Sequence, residues 1–314
     1  ETAVQQQAFQ VQVHERLPHH LLFGAFATHH IARFALLIVI WGSFTWFLRK
    51  IPPIRSLNWF CAASLSITLG GLLLSGLAET EQTELSHWSL WATGWLRFYW
   101  FRLSDFSIPL GVSIMCVTVL PTLSARPASA GEQTGRWIAL FSILIILLAS
   151  AAMIAAKWED PRPRADQASL PGYAQNEKRT IETQTNWKKV CQWIRQNTPS
   201  DAMFITPNDQ QTFKWYAQRS EVVNWKDIPQ NPESILEWKR RIDSIYRAQR
   251  IYPSGLLNLE NPAEVARVFG ANYLLVEQSA VDALPTPPNL QQIYPAEPNQ
   301  KSTYVLFQFN RPDE

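Results

Sequence analysis

Six histidines fall before residue 90 and none after it: His14, His19, His20, His29, His30 and His87. The same half carries Arg97, Arg102 and Asp105. Imidazole N–H groups donate hydrogen bonds to phosphate oxygens, and guanidinium groups clamp them bidentately. His19, His20, Arg97, Arg102 and Asp105 are therefore candidates for holding a lipid phosphate or a phosphorylated substrate. Structural packing, solvation or anchoring to anionic lipid is the ordinary alternative for each of them, and Asp105 after Ser104 also reads as a helix-start residue. Adjacent His pairs can ligate a metal, but metal sites favour spaced His with a carboxylate and no Cys has ligand spacing, so no metal is expected. A second candidate set lies near the C-terminus, where Asn208 or Asp209 would open a helix whose N-terminus favours anions, with Lys214, Arg219 and Lys226 around it. Its ordinary reading is a solvated cationic face.

The chain that must position these groups has 314 residues, of which 46% are hydrophobic and 17% charged. Collagen-like, disordered and small disulfide-stapled classes are excluded. Charge is unevenly spread. Residues 1–156 hold 9 Lys+Arg and 7 Asp+Glu, whereas residues 157–314 hold 19 of each. Charge density more than doubles at one point, which marks a domain boundary.

Uncharged runs in the first half are long enough to cross a bilayer: Ser56 to Ala78, Phe106 to Ala125 and Trp137 to Ala156 have 23, 20 and 20 residues. A fourth, Phe34 to Leu48, has only 15, and its span is expected to begin before Arg33, whose side chain can snorkel. Four transmembrane helices are expected at about 31–48, 56–78, 106–125 and 137–156. The short loops 49–55 and 126–136 are basic, so they are placed in the cytoplasm by the positive-inside bias. The C-terminal half then lies on the exterior side, the periplasm if the membrane is a bacterial inner membrane. Residues 85–103 carry Trp88, Trp91, Trp95 and Tyr99 at helical spacing, interrupted by Arg97 and Arg102. They are expected to lie as a helix in the interface; a fifth span, which would put the C-terminal half in the cytoplasm, is the alternative. The chain opens on Glu1-Thr2-Ala3 with no initiator Met or targeting segment, which points to the tail of a longer multi-pass protein.

Residues 157–186, with Pro161, Pro163, Pro171 and Gly172, read as a linker. From Trp187 to residue 314, helices alternate with short apolar strands. A helix near 187–198 precedes a strand at 202–205, a helix to Ala217 and a strand at 221–224. Asn231-Pro232-Glu233 opens a helix to about Arg250, and Asn261-Pro262-Ala263-Glu264 opens one that stops at Gly270, before strands at 272–276 and 303–309. The expected fold class is an α-helical transmembrane region followed by a soluble α/β (Rossmann-like) domain with a largely parallel sheet. Neither G-x-G-x-x-G nor G-x-x-x-x-G-K-S/T is present, so no cofactor is expected. Cys61 and Cys116 fall in spans and Cys191 stands alone in the C-terminal half, where all three read as packing residues.

The stretch from Asn197 to Pro207, then Phe213 to Asp227 and Glu237-Trp238, resembles a family of bacterial multi-pass membrane proteins that is itself a domain of unknown function. Arg16-Leu17-Pro18-His19-His20 and Phe101-Arg102-Leu103-Ser104-Asp105 look like segments of the same family. More loosely, the tail W-x-x-x-x-x-W-I-x-x-N-T-P-x-D-A after several spans is similar to GT-C-class membrane glycosyltransferases. That likeness implies a polyprenyl-phosphate-linked sugar as donor and a catalytic acid in an early exterior loop. The loop is not in this sequence, so no catalytic residue is assigned.

Two functions fit these features. One is the C-terminal portion of a lipid-linked sugar transferase, with Trp215 and Trp225 offering aromatic faces to sugars. The other is a non-enzymatic, membrane-anchored exterior domain for binding or scaffolding, favoured by the lack of any recognisable nucleophile or acid–base pair. The expected partner is membrane lipid, and protein partners are not indicated. A transporter is disfavoured because three of the runs contain no ionisable residue, and the even charge balance of the second half disfavours nucleic acid.

Overall fold

A computed structural model describes residues 2–79, 87–124, 130–158, 181–207, 210–246, 262–281, 290–296 and 302–310. The chain forms two compact units, Glu1–Glu159 and Asp160–Glu314.

The first unit is helical. It opens with α1 (Ala3–Gln10), a π-helical turn Val11–Arg16, α2 (Pro18–Leu21) and a tight turn Phe23–Ala25. The Thr2 hydroxyl accepts from the Gln5 amide while the Gln5 side chain reaches back to the Thr2 N–H, a capping box that starts α1. Four long helices carry the apolar runs: α3 (Thr28–Leu48), α4 (Pro52–Ala78), α6 (Arg102–Ser124) and α7 (Ala130–Trp158). All four are long and apolar enough to cross a membrane. Each begins earlier than its uncharged run, because a helix does not stop where its charge-free stretch stops. Arg33, Arg55, Arg102 and Arg136 are carried inside the helices near their starts.

Between α4 and α6 lies α5 (His87–Leu96), which at ten residues is too short to cross. The interface of α4 with α6 is built from small and polar residues. Ser64 bonds Ser107, the Thr68 hydroxyl donates to Ser104 at 2.7 Å, and a Cβ added at Gly111 would stand 2.7 Å from Cys61 Sγ. Such residues let helices approach closely where lipid removes any hydrophobic drive for association. A second core joins Ile40, Phe44 and Leu48 of α3 to Ile54, Val112, Met115, Val119 and Ala139.

The second unit is a five-stranded mixed sheet of order β2-β1-β3-β5-β4. Its strands are β1 (Met203–Ile205), β2 (Ser220–Glu221), β3 (Tyr273–Glu277), β4 (Leu290–Tyr294) and β5 (Tyr304–Phe309). β1 pairs parallel with β2 and β3, whereas β5 pairs antiparallel with β3 and β4. The expected largely parallel sheet is thus only half realised: the return into β5 comes as an antiparallel neighbour of β3. β4 carries Gln291 and Gln292 exposed at the sheet edge, so its composition conceals a strand.

Five helices are described in this unit: α8 (Ile181–Asn197), α9 (Phe213–Ala217), α10 (Pro232–Ile245), α11 (Pro262–Phe269) and the short α12 (Gln278–Val281). The Asn231 side chain accepts from the Ser234 amide, so the predicted cap of α10 forms. Gly270 takes φ +67°, the left-handed stop predicted after α11. Trp187, Val190 and Ile194 of α8 pack on Phe204, Leu275, Tyr304 and Leu306 of the sheet.

Candidate functional site

In the first unit the N-terminal segment is tied to the end of α4. The Phe23 amide donates to Ser75 Oγ at 2.7 Å and the Gly24 amide to Glu79 Oε1 at 3.0 Å. His14 Nε2 bonds Thr93 Oγ1 of α5 at 3.2 Å, and Leu17, Leu21 and Leu22 join Leu74, Ala78, Ala92 and Leu96 in one core. This docking brings α2 to the start of α6, so that His20 feels the charges of Arg102, Arg16 and Asp105, and His19 those of His20 and Arg16. His30, near the start of α3, shares the Asp105 charge.

Burial first, then the neighbouring His20 and Arg16 charges, pull the His19 pKa down to about 4. Burial also lowers that of His20, with Arg102 and Arg16 adding to it and Asp105 opposing. His14 is lowered by burial against the pull of Glu79. At neutral pH the cluster therefore offers uncharged imidazoles as hydrogen-bond partners and guanidinium groups as fixed positive charge.

Of the residues singled out from the sequence, His19, His20, Arg102 and Asp105 are brought together. Arg97 turns to α1: its guanidinium lies 4.4 Å from the Phe9 ring centre and 4.8 Å from that of Phe98, and its buried Nε has no hydrogen-bond partner among the described residues. Arg102 lies over the Tyr99 ring at 5.3 Å. Arg16, which the sequence does not single out as a site residue, joins the cluster, as does His30. Arg16 stands four residues before His20, a spacing that gains meaning only once α2 is seen to dock.

In the second unit Asn208 and Asp209 lie outside the described residues. The helix expected to open there begins at Phe213, and Thr212 at its cap position makes no side-chain cap bond. Lys214 Nζ sits 2.7 Å from Asp227 Oδ2 and 3.7 Å from Glu221 Oε1. Glu221 is buried at the carboxyl end of β2, accepting from the Thr206 hydroxyl at 2.8 Å and from Asn224 Nδ2 at 3.1 Å. Tyr246 OH donates to the Thr206 carbonyl at 2.8 Å. Burial pushes the Glu221 pKa up to about 7, against the Thr206, Lys214 and Asn224 contacts that favour its charged form. Burial works against the Lys214 ammonium, but the Asp227 bond and the Glu221 charge outweigh it and raise its pKa. Burial also pushes up the Cys191 thiol, helped by Glu221.

Arg219 closes α8. It donates from Nη2 to the carbonyls of Arg195 and Thr198, both at 2.7 Å, and from Nε to Thr198 Oγ1 at 3.2 Å. Arg219→Ala should therefore cost the unit about 2 kcal/mol, and Arg219→Lys should recover little, since one ammonium cannot reach three acceptors in this fan. Denaturant unfolding measures both. Lys226 is exposed, with its backbone amide bonded to Asn224 Oδ1 at 2.8 Å. Trp225 is buried and its ring centre lies 5.1 Å from that of Trp238, so it presents no open face to a sugar; Trp215, 80% exposed, does. A groove of ≈ 670 Å³ along the amino ends of β1 and β3 touches Asp201, Asn272, Gln308 and Asn310 and none of the predicted site residues.

Among the described residues no group of three or more His, Cys, Asp or Glu is arranged to hold a metal ion. Residues 185–245, from α8 to α10, match the family described as a domain of unknown function (DUF6798). No curated protein and no solved structure matches the chain. The molecule thus combines four helices able to cross a membrane with a small mixed-sheet unit that contains this domain.

Proposed function

We propose that this chain belongs to a lipid-linked sugar transferase of the GT-C kind in a bacterial inner membrane, and that Arg16, His19, His20 and Arg102 hold the phosphate of its polyprenyl-phosphate-linked sugar. One observation carries the reading: the docked N-terminal segment gathers two Arg and two His around the starts of α3 and α6, at the ends of the apolar helices, the depth at which a bilayer spanned by them would carry its phosphates. The guanidinium groups supply lasting charge, the imidazoles supply hydrogen bonds, and Asp105 limits the net charge. On this reading the basic loops face the cytoplasm, and the cluster and the C-terminal unit face the exterior.

Titration of a polyprenyl phosphate into the protein in nanodiscs tests the assignment. Replacing His20 and Arg102 together by alanine removes charge-assisted bonds and is expected to weaken binding at least about tenfold. Arg49→Ala, in the loop between α3 and α4, is expected to leave binding unchanged. Equal affinity of the double variant and the parent would overturn the proposal.

A further inference from the structure

The sequence leads one to expect α5 as a helix lying in the interface, and its packing bears on how it stands there. Along α4, the partners run in strict order: Gly70 and Gly71 meet Trp100, Gly71 also meets Phe101, Thr68 bonds Ser104, Ser64 bonds Ser107, and Cys61 meets Gly111. Ala92 and Leu96 continue the series upward, in one core with Leu74 and Ala78. So α5 and α6 descend the same face of α4 one after the other. The break between them is closed internally: Trp100 Nε1 donates to the Trp95 carbonyl at 2.8 Å, the Arg102 amide to Tyr99 at 2.9 Å, and Tyr99 takes φ +56°. That satisfaction is what a backbone near hydrocarbon depth requires.

The faces of α5 are inverted relative to a helix in water. Ser89, Ala92, Thr93, Gly94 and Leu96 are buried, whereas Trp88, Trp91, Trp95 and Phe98 are exposed. Their ring centres follow one another at 6.1, 6.1 and 5.8 Å. An aqueous helix turns its aromatic side inward. α4 likewise exposes apolar side chains, Leu69, Leu73 and Leu77, on the side turned away from α5. With 27 residues α4 is about 40 Å long, some 10 Å more than hydrocarbon thickness, which leaves about two of its turns for headgroup depth. Trp is favoured at that depth.

We infer that α5 is an upright extension of the α6 span, planted through the lipid headgroup layer with its aromatic face to lipid and its depth increasing from Trp88 to Phe98. The inference rests on the membrane-spanning helices and is independent of what the histidine–arginine cluster binds.

Single nitroxide labels on cysteines placed at 88, 91, 95 and 98, in the full chain carrying Cys116→Ala and reconstituted in phosphatidylcholine vesicles, test it. Cys61 and Cys191 are buried, away from the reagent. The ratio of collisions with oxygen to collisions with an aqueous nickel chelate is expected to rise severalfold from 88 to 98. Equal ratios at the four sites would mean a flat helix, strong nickel collision at all four an aqueous face, and exclusion of both reagents a protein cover; each overturns the inference. Quenching by lipids brominated at two depths repeats the test without labels. The emission lost in Trp95→Phe should be quenched more by the deeper bromine than that lost in Trp88→Phe, and equal quenching would contradict the graded depth.

Discussion

Replacing Gly71 with alanine drives α4 away from the α5–α6 break and lowers the stability of the membrane unit by about 2 kcal/mol, within the range for overpacking a close-packed contact. The added Cβ would stand 2.6 Å from Trp100 Cβ and 3.3 Å from the Phe101 ring. Trp100 Cβ is fixed directly to the backbone, so no rotamer relieves the clash and the helices themselves must part. Gly76 on the same helix has nothing within 4 Å of its would-be Cβ. Gly76→Ala makes the same backbone change without the contact and should leave stability intact. Thermal unfolding of both variants in one detergent compares them. Equal midpoints would show that α4 and the break are not in contact as described.

The second large effect is a pH dependence written into the C-terminal unit by Glu221. Its pKa of about 7 in the folded protein lies above the ordinary glutamate value of 4.5, so between these values the folded state keeps a proton that the unfolded chain has lost. Folding stability then falls as pH rises through this window and levels off above about pH 7, a loss of roughly 3 kcal/mol at 1.36 kcal/mol per pKa unit. No histidine occurs after residue 90 to titrate in the same window. Glu221→Gln keeps the shape, lets Thr206 and Asn224 reorient their hydrogen bonds, and leaves Lys214 its Asp227 partner. The variant should lose this component of the pH slope and be more stable than the parent near pH 8. Denaturant unfolding of the C-terminal unit at pH 5 and pH 8 gives both numbers, and identical slopes for parent and variant would show that Glu221 is not buried as a neutral acid.

The sequence made legible what depends on local pattern. The four apolar helices follow from runs of uncharged residues, the start of α10 from Asn231-Pro232, and the end of α11 from Gly270. What escaped it depends on contacts far apart in the chain. The N-terminal turns have no strong periodicity of their own, and bonds from Phe23 to Ser75 and from His14 to Thr93 fix where they dock. Arg16 and His30 joined the candidate cluster only through that docking. Glu221 is an ordinary acid until Thr206, Asn224 and Lys214 close around it. The carbonyls that Arg219 caps, those of Arg195 and Thr198, are invisible as acceptors in a string of residues, so its structural role could not be read there. The parallel strands β2, β1 and β3 were foreseeable from the helices between them, whereas β4, with its exposed glutamines, carries a composition closer to a loop.

The assignment of a lipid phosphate to the cluster at the starts of α3 and α6 is most directly tested by mass spectrometry of the lipids that stay with the protein when it is extracted gently from its native membrane. A stoichiometric polyprenyl phosphate or lipid-linked sugar is expected in the parent and is expected to be lost from the His20→Ala/Arg102→Ala variant. Bulk phospholipid alone, the same in parent and variant, would contradict it and leave the molecule as a membrane-anchored binding unit.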